Sequence, residues 1–379
     1  MTRSGGRRPP RTARARTPRG ESRVGTRFEV EVGPIAHGGF CVARHEGRAV
    51  FVRHALPGEQ VVVVVTEGTE GDRFWRADAV EVLVPSAHRV VPPCPYAGPD
   101  ACGGCDLQHV AVPHQRELKA AVVAEQLRRL AGLDLAVTVE AVPGDTPPGS
   151  GLGWRTRQRY AHLPDGRQAM RKHRSHDLVP VDHCLLESPD PAAHLVRDVS
   201  FDVAGDGFWQ VHPGAPAILV EAVLAGLDPR PGESALDLYA GVGLFARFLA
   251  DRVGDARRVT MVEGDRAASG HAAANVPGAP ALAGDVATVL GRLPVEPVDL
   301  VVLDPPREGA KRAVVEQVVA RTPRAVAYVA CDPAALARDV ATFAEHGYAL
   351  ASLRAFDLFP MTHHVECVAH LVKSDSDLR

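Results

Sequence analysis

Lysine is nearly absent from this chain: of 43 basic residues only Lys119, Lys172, Lys311 and Lys373 are lysine. Together with abundant alanine, this imbalance reflects genomic base composition, so the number of arginines says little about chemistry. Long apolar runs are also missing. None approaches the ~20 residues of a membrane-spanning helix, and no apolar segment of signal-peptide type stands near the first residues. A cytoplasmic location with no membrane partner is therefore expected. No internal repeat is found. What is present, 45% hydrophobic and 23% charged residues, describes a globular protein. At 379 residues the chain exceeds one ordinary core, so two or three domains are expected.

The net charge of −3 is unevenly spread. Arg3, Arg7, Arg8, Arg11, Arg14, Arg16, Arg19 and Arg23 face one acid, Glu21, over the first residues. Residues 1–22 are expected to form a basic tail, either a solvated arm or one that contacts nucleic-acid phosphates. Residues 23–86 alternate or bunch β-formers at Phe28–Val32, Ala49–Val52, Val61–Val65 and Ala77–Val84. Turn signals such as Gly38-Gly39, Pro57-Gly58 and Gly71-Asp72 separate them. Four or five short strands at this spacing make a small OB-like barrel. Residues 87–200 are loop-rich, with a helix expected from His114 to about Leu130, Pro113 before it and Gly132 beyond. Leu118, Val122, Leu127 and Leu130 fall near one helix face. Arg155–His162 and Val179–Val181 look like strands. In residues 201–379, apolar runs at Ala235–Tyr239, Val259–Val262, Val298–Leu303 and Ala325–Ala330 alternate with helical segments, the pattern of a doubly wound parallel sheet. Ala349–Ala355 and Val365–Val372 follow with little helix between them, which implies an antiparallel hairpin at the sheet edge.

Chemistry concentrates in this last part. Leu236-Asp237-Leu238-Tyr239-Ala240-Gly241-Val242-Gly243 runs from a strand into a glycine turn and a helix, where the backbone can approach a nucleotide-like ligand. The next strand ends at Glu263, a carboxylate placed to hold ribose hydroxyls. NAD and S-adenosylmethionine both fit that much. Asp285 after the third strand suits an adenine amino group, and Asp304-Pro305-Pro306-Arg307 after the fourth marks methyltransferases that act on nucleic-acid bases. That combination favours S-adenosylmethionine. Cys331, in Val329-Ala330-Cys331-Asp332-Pro333, sits where a strand gives way to a turn, at the edge where open α/β sheets bind ligands. Its alternative reading is a buried structural thiol. Downstream, Thr362-His363-His364-Val365-Glu366-Cys367 supplies a carboxylate. Thiol, turn and carboxylate together point to covalent catalysis on a flat electrophile.

Of the seven cysteines, four stand as Cys94-x7-Cys102-x2-Cys105 with Cys184 far downstream. In a cytoplasmic chain such clustering points to a metal or cluster. Spacing alone leaves zinc and an iron–sulfur cluster both open. Cys41 and Cys367 read as ordinary buried thiols. Arg155, Arg157, Arg159, Arg171, Lys172 and Arg174, with Trp154 and Tyr160 among them, offer either an RNA-tracking surface or a solvated basic face.

From residue 23 onward the chain resembles the S-adenosylmethionine-dependent RNA uracil-C5 methyltransferases, particularly the bacterial 23S rRNA branch. The resemblance rests on Phe208-Trp209-Gln210-Val211, Asp237–Gly243, Asp304-Pro305-Pro306-Arg307, Cys331-Asp332-Pro333 and His363-His364-Val365-Glu366, which occur in the family's order. It implies a Rossmann-like class I methyltransferase domain (201–379), an N-terminal OB-like TRAM barrel that holds RNA (23–86) and a small α+β iron–sulfur domain (87–200). By this resemblance Gln210, Tyr239, Gly241, Gly243, Glu263, Asp285 and Asp304 lie along the cofactor, Cys331 is the nucleophile and Glu366 the base. Cys94, Cys102, Cys105 and Cys184 hold a [4Fe–4S] cluster. RNA is the implied partner, 23S rRNA before tRNA, for a monomeric enzyme; a catalytically silent RNA-binding or assembly factor is the alternative of another class. Several positions depart from the family pattern: Asp332 replaces the usual Asn after the nucleophile, Leu244 and His212 replace frequent Asn, and Ala240 a common Cys. A carboxylate beside Cys331 opposes thiolate formation unless it is paired.

Overall fold

A computed structural model describes residues 20–190 and 192–374. The expected basic tail, 1–22, lies almost wholly outside the described residues. The chain divides into two compact units: residues up to Pro34 with Cys41–Pro85, and Ile35–Phe40 with everything from Ser86 onward.

Strands β1 (Arg27–Ala36), β2 (Phe40–His45), β3 (Arg48–Arg53), β4 (Gln60–Glu67) and β5 (Phe74–Val84) close into a barrel in the order β1-β2-β3-β5-β4. Period-two burial explains the closure. Val30 and Val32, Val61, Val63 and Val65, and Trp75, Ala77 and Ala79 turn inward, while the residues between them face outward or lie half-buried. The turn Leu56-Pro57-Gly58-Glu59 is held by the buried Glu59, whose carboxylate accepts from Leu56 N at 2.8 Å. Gly58 supplies the positive φ of 82° there. The five strands match the expected barrel; β2 is the one whose short run had not stood out.

The second unit opens with helix α1 (Val112–Gln126) and a wide π turn, Leu127–Ala131. The helix starts before Pro113 because a proline in the first turn forfeits no intrahelical bond. The wide turn changes the helical phase, so Leu127 is buried while Leu130 is 39% exposed, against the expectation of a common face. Gly132 ends the turn in the left-handed region, φ 68°. Then follow β6 (Val139–Ala141), a three-stranded sheet of β7 (Ala161–His162), β8 (Gln168–Arg171) and β9 (Leu178–Pro180), and the hairpin β10 (Leu195–Val196) and β11 (Val199–Ser200). The strand expected over Arg155–His162 is reduced to β7; Arg155 instead makes an isolated bridge to Glu187.

The remaining elements are α2 (Ala215–Leu227), β12 (Ala235–Leu238), α3 (Leu244–Val253), β13 (Val259–Glu263), α4 (Arg266–Asn275), β14 (Ala281–Ala283), α5 (Val286–Leu290), β15 (Leu300–Leu303), α6 (Arg312–Val319), β16 (Ala325–Ala330), α7 (Pro333–Glu345), β17 (Tyr348–Asp357) and β18 (Glu366–Lys373). The main sheet has the order β14-β13-β12-β15-β16-β18-β17-β6. Its first five strands are parallel and β18 is antiparallel to β16. Both faces are covered, which is why these strands read as unbroken apolar runs. Ala325, Ala327 and Val329 pack with α2 and α3, whereas Val326, Tyr328 and Ala330 pack with α6 and α7. The final hairpin does not form the edge. β6, three residues from far upstream, adds parallel to β17 through Ala355↔Val139 to Asp357↔Ala141. So short a strand carries no readable alternation.

Helix α1 is tied to the end of β17 by a buried ion pair. Lys119 Nζ donates to Asp357 Oδ1 at 2.6 Å and to the Phe359 carbonyl at 3.0 Å, with both side chains almost inaccessible. Lys119→Met strands a buried carboxylate and should cost about 3–5 kcal/mol in denaturant unfolding. Adding Asp357→Leu should recover much of that loss; equal losses in single and double variants would show that the pair is not what Lys119 contributes.

Candidate active site

β12 is the point where the strand order reverses, with β13 on one side and β15 on the other. Ligands of open α/β sheets sit beyond the carboxyl ends of such strands. The loop leaving β12 is built for close approach: Tyr239, Gly241 and Gly243 all have positive φ, at 62°, 55° and 86°. At Gly243 a side chain would be crowded as well as strained, since its Cβ would lie 3.0 Å from Val276 and 3.2 Å from the Met261 sulfur. Glu263, closing β13, accepts from Gly241 N at 2.8 Å and from Asp265 N at 2.7 Å, so one carboxylate ties the glycine loop to the neighbouring turn. Asp285 is exposed after β14 and caps α5 by accepting from Thr288 N and Oγ1. Its charge reaches Tyr239, whose hydroxyl is pushed up to about 12 by burial first and then by Asp285. Gln210 is half-buried on the loop before α2, between the buried Trp209 and His212; no hydrogen bond ties it to the glycine loop.

The edge that carries Cys331 follows from register. β16 pairs with β18 through Ala330↔Cys367, so the next step along each strand sets Cys331 against Glu366. Burial, followed by the charges of Glu366 and Asp304, pushes the Cys331 thiol up to about 12, against an opposing pull from Arg307. Glu366 is buried and its carboxyl is held well above the usual range by burial and by Asp304. Asp304 itself is raised to about 7 by burial and Glu263. Asp237, wholly inaccessible on β12, is raised to about 8 by burial and then by Asp304 and Glu263, although Ala246 N donates to its Oδ2 at 2.8 Å. Its Oδ1 is buried without a hydrogen-bond partner. Four carboxyls crowding one strand edge make a place where a cationic ligand relieves repulsion.

Supporting groups surround this edge. Tyr328, three residues before Cys331, donates to Asp339 of α7 at 2.5 Å, and Ala310 N donates to both at 2.9 and 2.8 Å. The loop after Asp304 is thereby fastened to α7. Arg307 donates to His364 Nε2 at 3.1 Å, and burial holds His364 neutral, down to about 3. On the other side, the Gln115 amide oxygen accepts from Met361 N at 2.8 Å, and Asp106 accepts from His363 Nδ1 at 2.6 Å. A pocket of about 110 Å³ opens beside Cys331, lined by His37, Lys119, Arg307, Asp332, His363 and His364 among others. Sequence reasoning had missed His37, Asp106, Gln115 and Lys119. Only Gln115 and Lys119 left a signal, polar residues four apart on the same face of α1 as the apolar Leu118 and Val122.

Comparison with known proteins agrees with this geometry. Residues 21–80 match the TRAM domain model, and residues 293–374 match the tRNA (uracil-5-)-methyltransferase model. A Streptomyces coelicolor protein described as an uncharacterized RNA methyltransferase is 46% identical, over 92% of this chain and 93% of its own. The 23S rRNA (uracil(1939)-C(5))-methyltransferase of Chromohalobacter salexigens is 31% identical over 98% and 96%. The chain belongs to the S-adenosylmethionine-dependent RNA uracil-C5 methyltransferase family. Its fold is also that of the Pyrococcus abyssi tRNA (uracil-54, C5)-methyltransferase solved with S-adenosyl-L-homocysteine. That structure aligns with a TM-score of 0.67 and 21% identity, over 91% of this chain and all of the other.

In this family member the four clustered cysteines are half-buried. Cys105 is pushed up by burial and further by the charges of Cys184, Cys102 and Cys94, so the four sulfurs act on one another. Cys105 and Cys102 accept N–H···S bonds from Gln108 Nε2 and Gly104 N, both at 3.4 Å. The donor set suits a thiolate-bound group, although among the described residues no three His, Cys, Asp or Glu side chains are arranged as a finished metal site. Cys41 and Cys367 are buried, as expected. Of the basic residues nearby, Lys172 pairs with Asp100 at 2.6 Å and Arg157 donates to the Asp206 and Gly207 carbonyls. At least these two cations are engaged within the protein.

The raised carboxyls have a pH signature. In the folded protein Asp237 and Asp304 keep protons that the unfolded chain releases near pH ~3.9. The stability they contribute is therefore fully present below pH ~3.9, declines as pH rises above it, and is gone once pH has passed about 7 to 8. Asp237→Asn, which still accepts from Ala246 N, should raise the melting temperature relative to the parent by a margin that grows with pH across this window. A margin independent of pH would mean that Asp237 does not titrate there.

Proposed function

We propose that this protein methylates C5 of a uridine in RNA, 23S rRNA by preference, through a covalent bond between Cys331 Sγ and uracil C6. The observation that carries this reading is the register that sets Cys331 against Glu366 beside the acidic strand edge. The donor would be held by Gln210, Tyr239, Gly241, Gly243, Glu263, Asp285 and Asp304; the glycine loop, the crowded carboxyls and the orphaned Asp237 Oδ1 fit a cationic nucleoside. When bound, S-adenosylmethionine supplies an electrophilic methyl on a sulfonium centre.

The protein's own part begins at Cys331. Arg307 favours its thiolate against the surrounding carboxyls. Addition of the thiolate to C6 pushes the C5=C6 electron pair toward C5 and O4, making C5 the nucleophile. Once C5 carries both methyl and hydrogen, the Glu366 carboxylate takes the C5 proton. The C5=C6 bond reforms and the C6–S bond breaks, returning Cys331. A carboxyl pushed upward by burial is a stronger base than an exposed one, which suits that step. Preference for rRNA over tRNA is supported by the 31% identical 23S rRNA enzyme, which matches along nearly the whole of both chains. We further propose that Cys94, Cys102, Cys105 and Cys184 hold a [4Fe–4S] cluster in a segment, 87–200, that acts as a small central domain. Methyl transfer needs no electrons, so such a cluster would brace structure or RNA.

Cys331→Ala should abolish methylation, and Glu366→Gln should slow turnover by ~10²–10⁴-fold. The parent should form a denaturation-resistant adduct with 5-fluorouridine RNA that Cys331→Ala cannot form; unchanged methylation in that variant would overturn the mechanism. Assays on 23S rRNA and tRNA lacking 5-methyluridine decide the substrate, and exclusive activity on tRNA would overturn the preference. Protein purified without oxygen should be brown and carry about four irons, mostly lost in Cys184→Ala. A colourless protein with bound zinc would overturn the cluster.

A further inference from the structure

The departure at Asp332 has a structural answer. Asp332 caps α7, its Oδ1 accepting from Ala335 N at 2.8 Å. Its Oδ2 lies 3.0 Å from His37 Nε2, on the turn between β1 and β2, within the stretch Ile35–Phe40 that groups with the larger unit. An ionised carboxylate can only accept, so the His37 nitrogen carries the proton and donates. Burial opposes ionisation of Asp332, but the bonds from His37 and Ala335 N outweigh it and hold the carboxyl below its ordinary range. A full negative charge therefore stands next to Cys331 in the chain, and it adds to the charges of Glu366 and Asp304 that already resist a thiolate.

We propose that His37 is a positioning residue for the reaction: by binding Asp332 Oδ2 it holds that carboxylate on its cap and offsets its charge, so that Cys331 can ionise. Other charged groups near the pair have different engagements. Arg307 donates to His364, Lys119 to Asp357, and His363 is bound to Asp106. Arg338 of α7 acts on Asp332 through space, but more weakly than His37. His364, buried and neutral, adds no charge. His37 is the side chain in this pocket with a hydrogen bond to Asp332 itself.

The inference rests on Cys331 being the nucleophile, and its test reads the thiol directly. In the full-length protein, alkylation of Cys331 by iodoacetamide is followed across pH by mass spectrometry of the Cys331 peptide. His37→Gln should shift the midpoint upward by roughly one pH unit, equivalent to about a tenfold smaller thiolate fraction below it. It should also lower kcat about tenfold at neutral pH, with little change in KM for S-adenosylmethionine. In Asp332→Asn, where no charge needs offsetting, adding His37→Gln should move neither midpoint nor kcat. Asp332→Asn alone should alkylate at the parent's midpoint or below it.

Equal losses from His37→Gln in both backgrounds would make His37 merely structural and overturn the proposal. So would an unchanged midpoint in the Asp332 background, or a raised one in Asp332→Asn alone. If Cys331 were not the nucleophile, the kcat arm would fail while the alkylation shifts remained, which separates the two readings.

Discussion

The antiparallel pairing of β16 with β18 is the constraint on which the site depends. It is the one place where the parallel sheet receives a strand running the other way, and it joins the start of β18 to the carboxyl end of β16. A thiol that follows one strand and a carboxyl that begins the other meet without any loop having to find them. A slip of one residue would turn every side chain of β18 to the opposite face and separate the two groups. The alternating cores on the two faces of β16 specify that register strongly, because a slip would expose both apolar sets to the wrong layer.

Around this junction the protein concentrates charges that repel one another. Asp237, Glu263, Asp304 and Glu366 come from four different strands or strand ends and share one edge with Cys331. The carboxyls of Asp237, Asp304 and Glu366 are pushed upward by burial and by their charged neighbours. Such crowding is unfavourable in isolation, and the fold tolerates it because neighbouring elements are firmly anchored. Tyr328 and Asp339 hold the loop after Asp304, while Gln115 and Lys119 hold the loop before Glu366. The anchoring reaches the segment with the clustered cysteines, where Asp106, adjacent to Cys105, binds His363 and donates its own N–H to the Met361 carbonyl.

Legibility differed by kind of feature. Ala325–Ala330 was readable to the residue, because a strand buried on both faces is an uninterrupted apolar run. The barrel strands other than β2 were readable from alternating or bunched β-formers. Most of the middle of the chain was not: β6 through β11 are two to four residues long, too short for periodicity, and β6 pairs with the distant β17. At the site, Cys331, Glu366, Asp304 and the glycine loop stood out because each follows or begins a readable strand. His37, Asp106 and Lys119 did not, since each gains its meaning from a partner more than two hundred residues away.

The sequence by itself determined the class of the protein: a barrel followed by a doubly wound sheet, strand ends carrying glycine and carboxylates, and a thiol and an acid placed at two strand termini. These are local properties, set by burial period, backbone freedom and residue chemistry. Only the tertiary structure decided that the last hairpin lies inside the sheet, that four carboxyls press on one edge, and that the unexpected Asp332 is met by His37. Those outcomes depend on distances between groups far apart in the chain, and charge interactions fall off with distance in space, with no regard to separation in sequence.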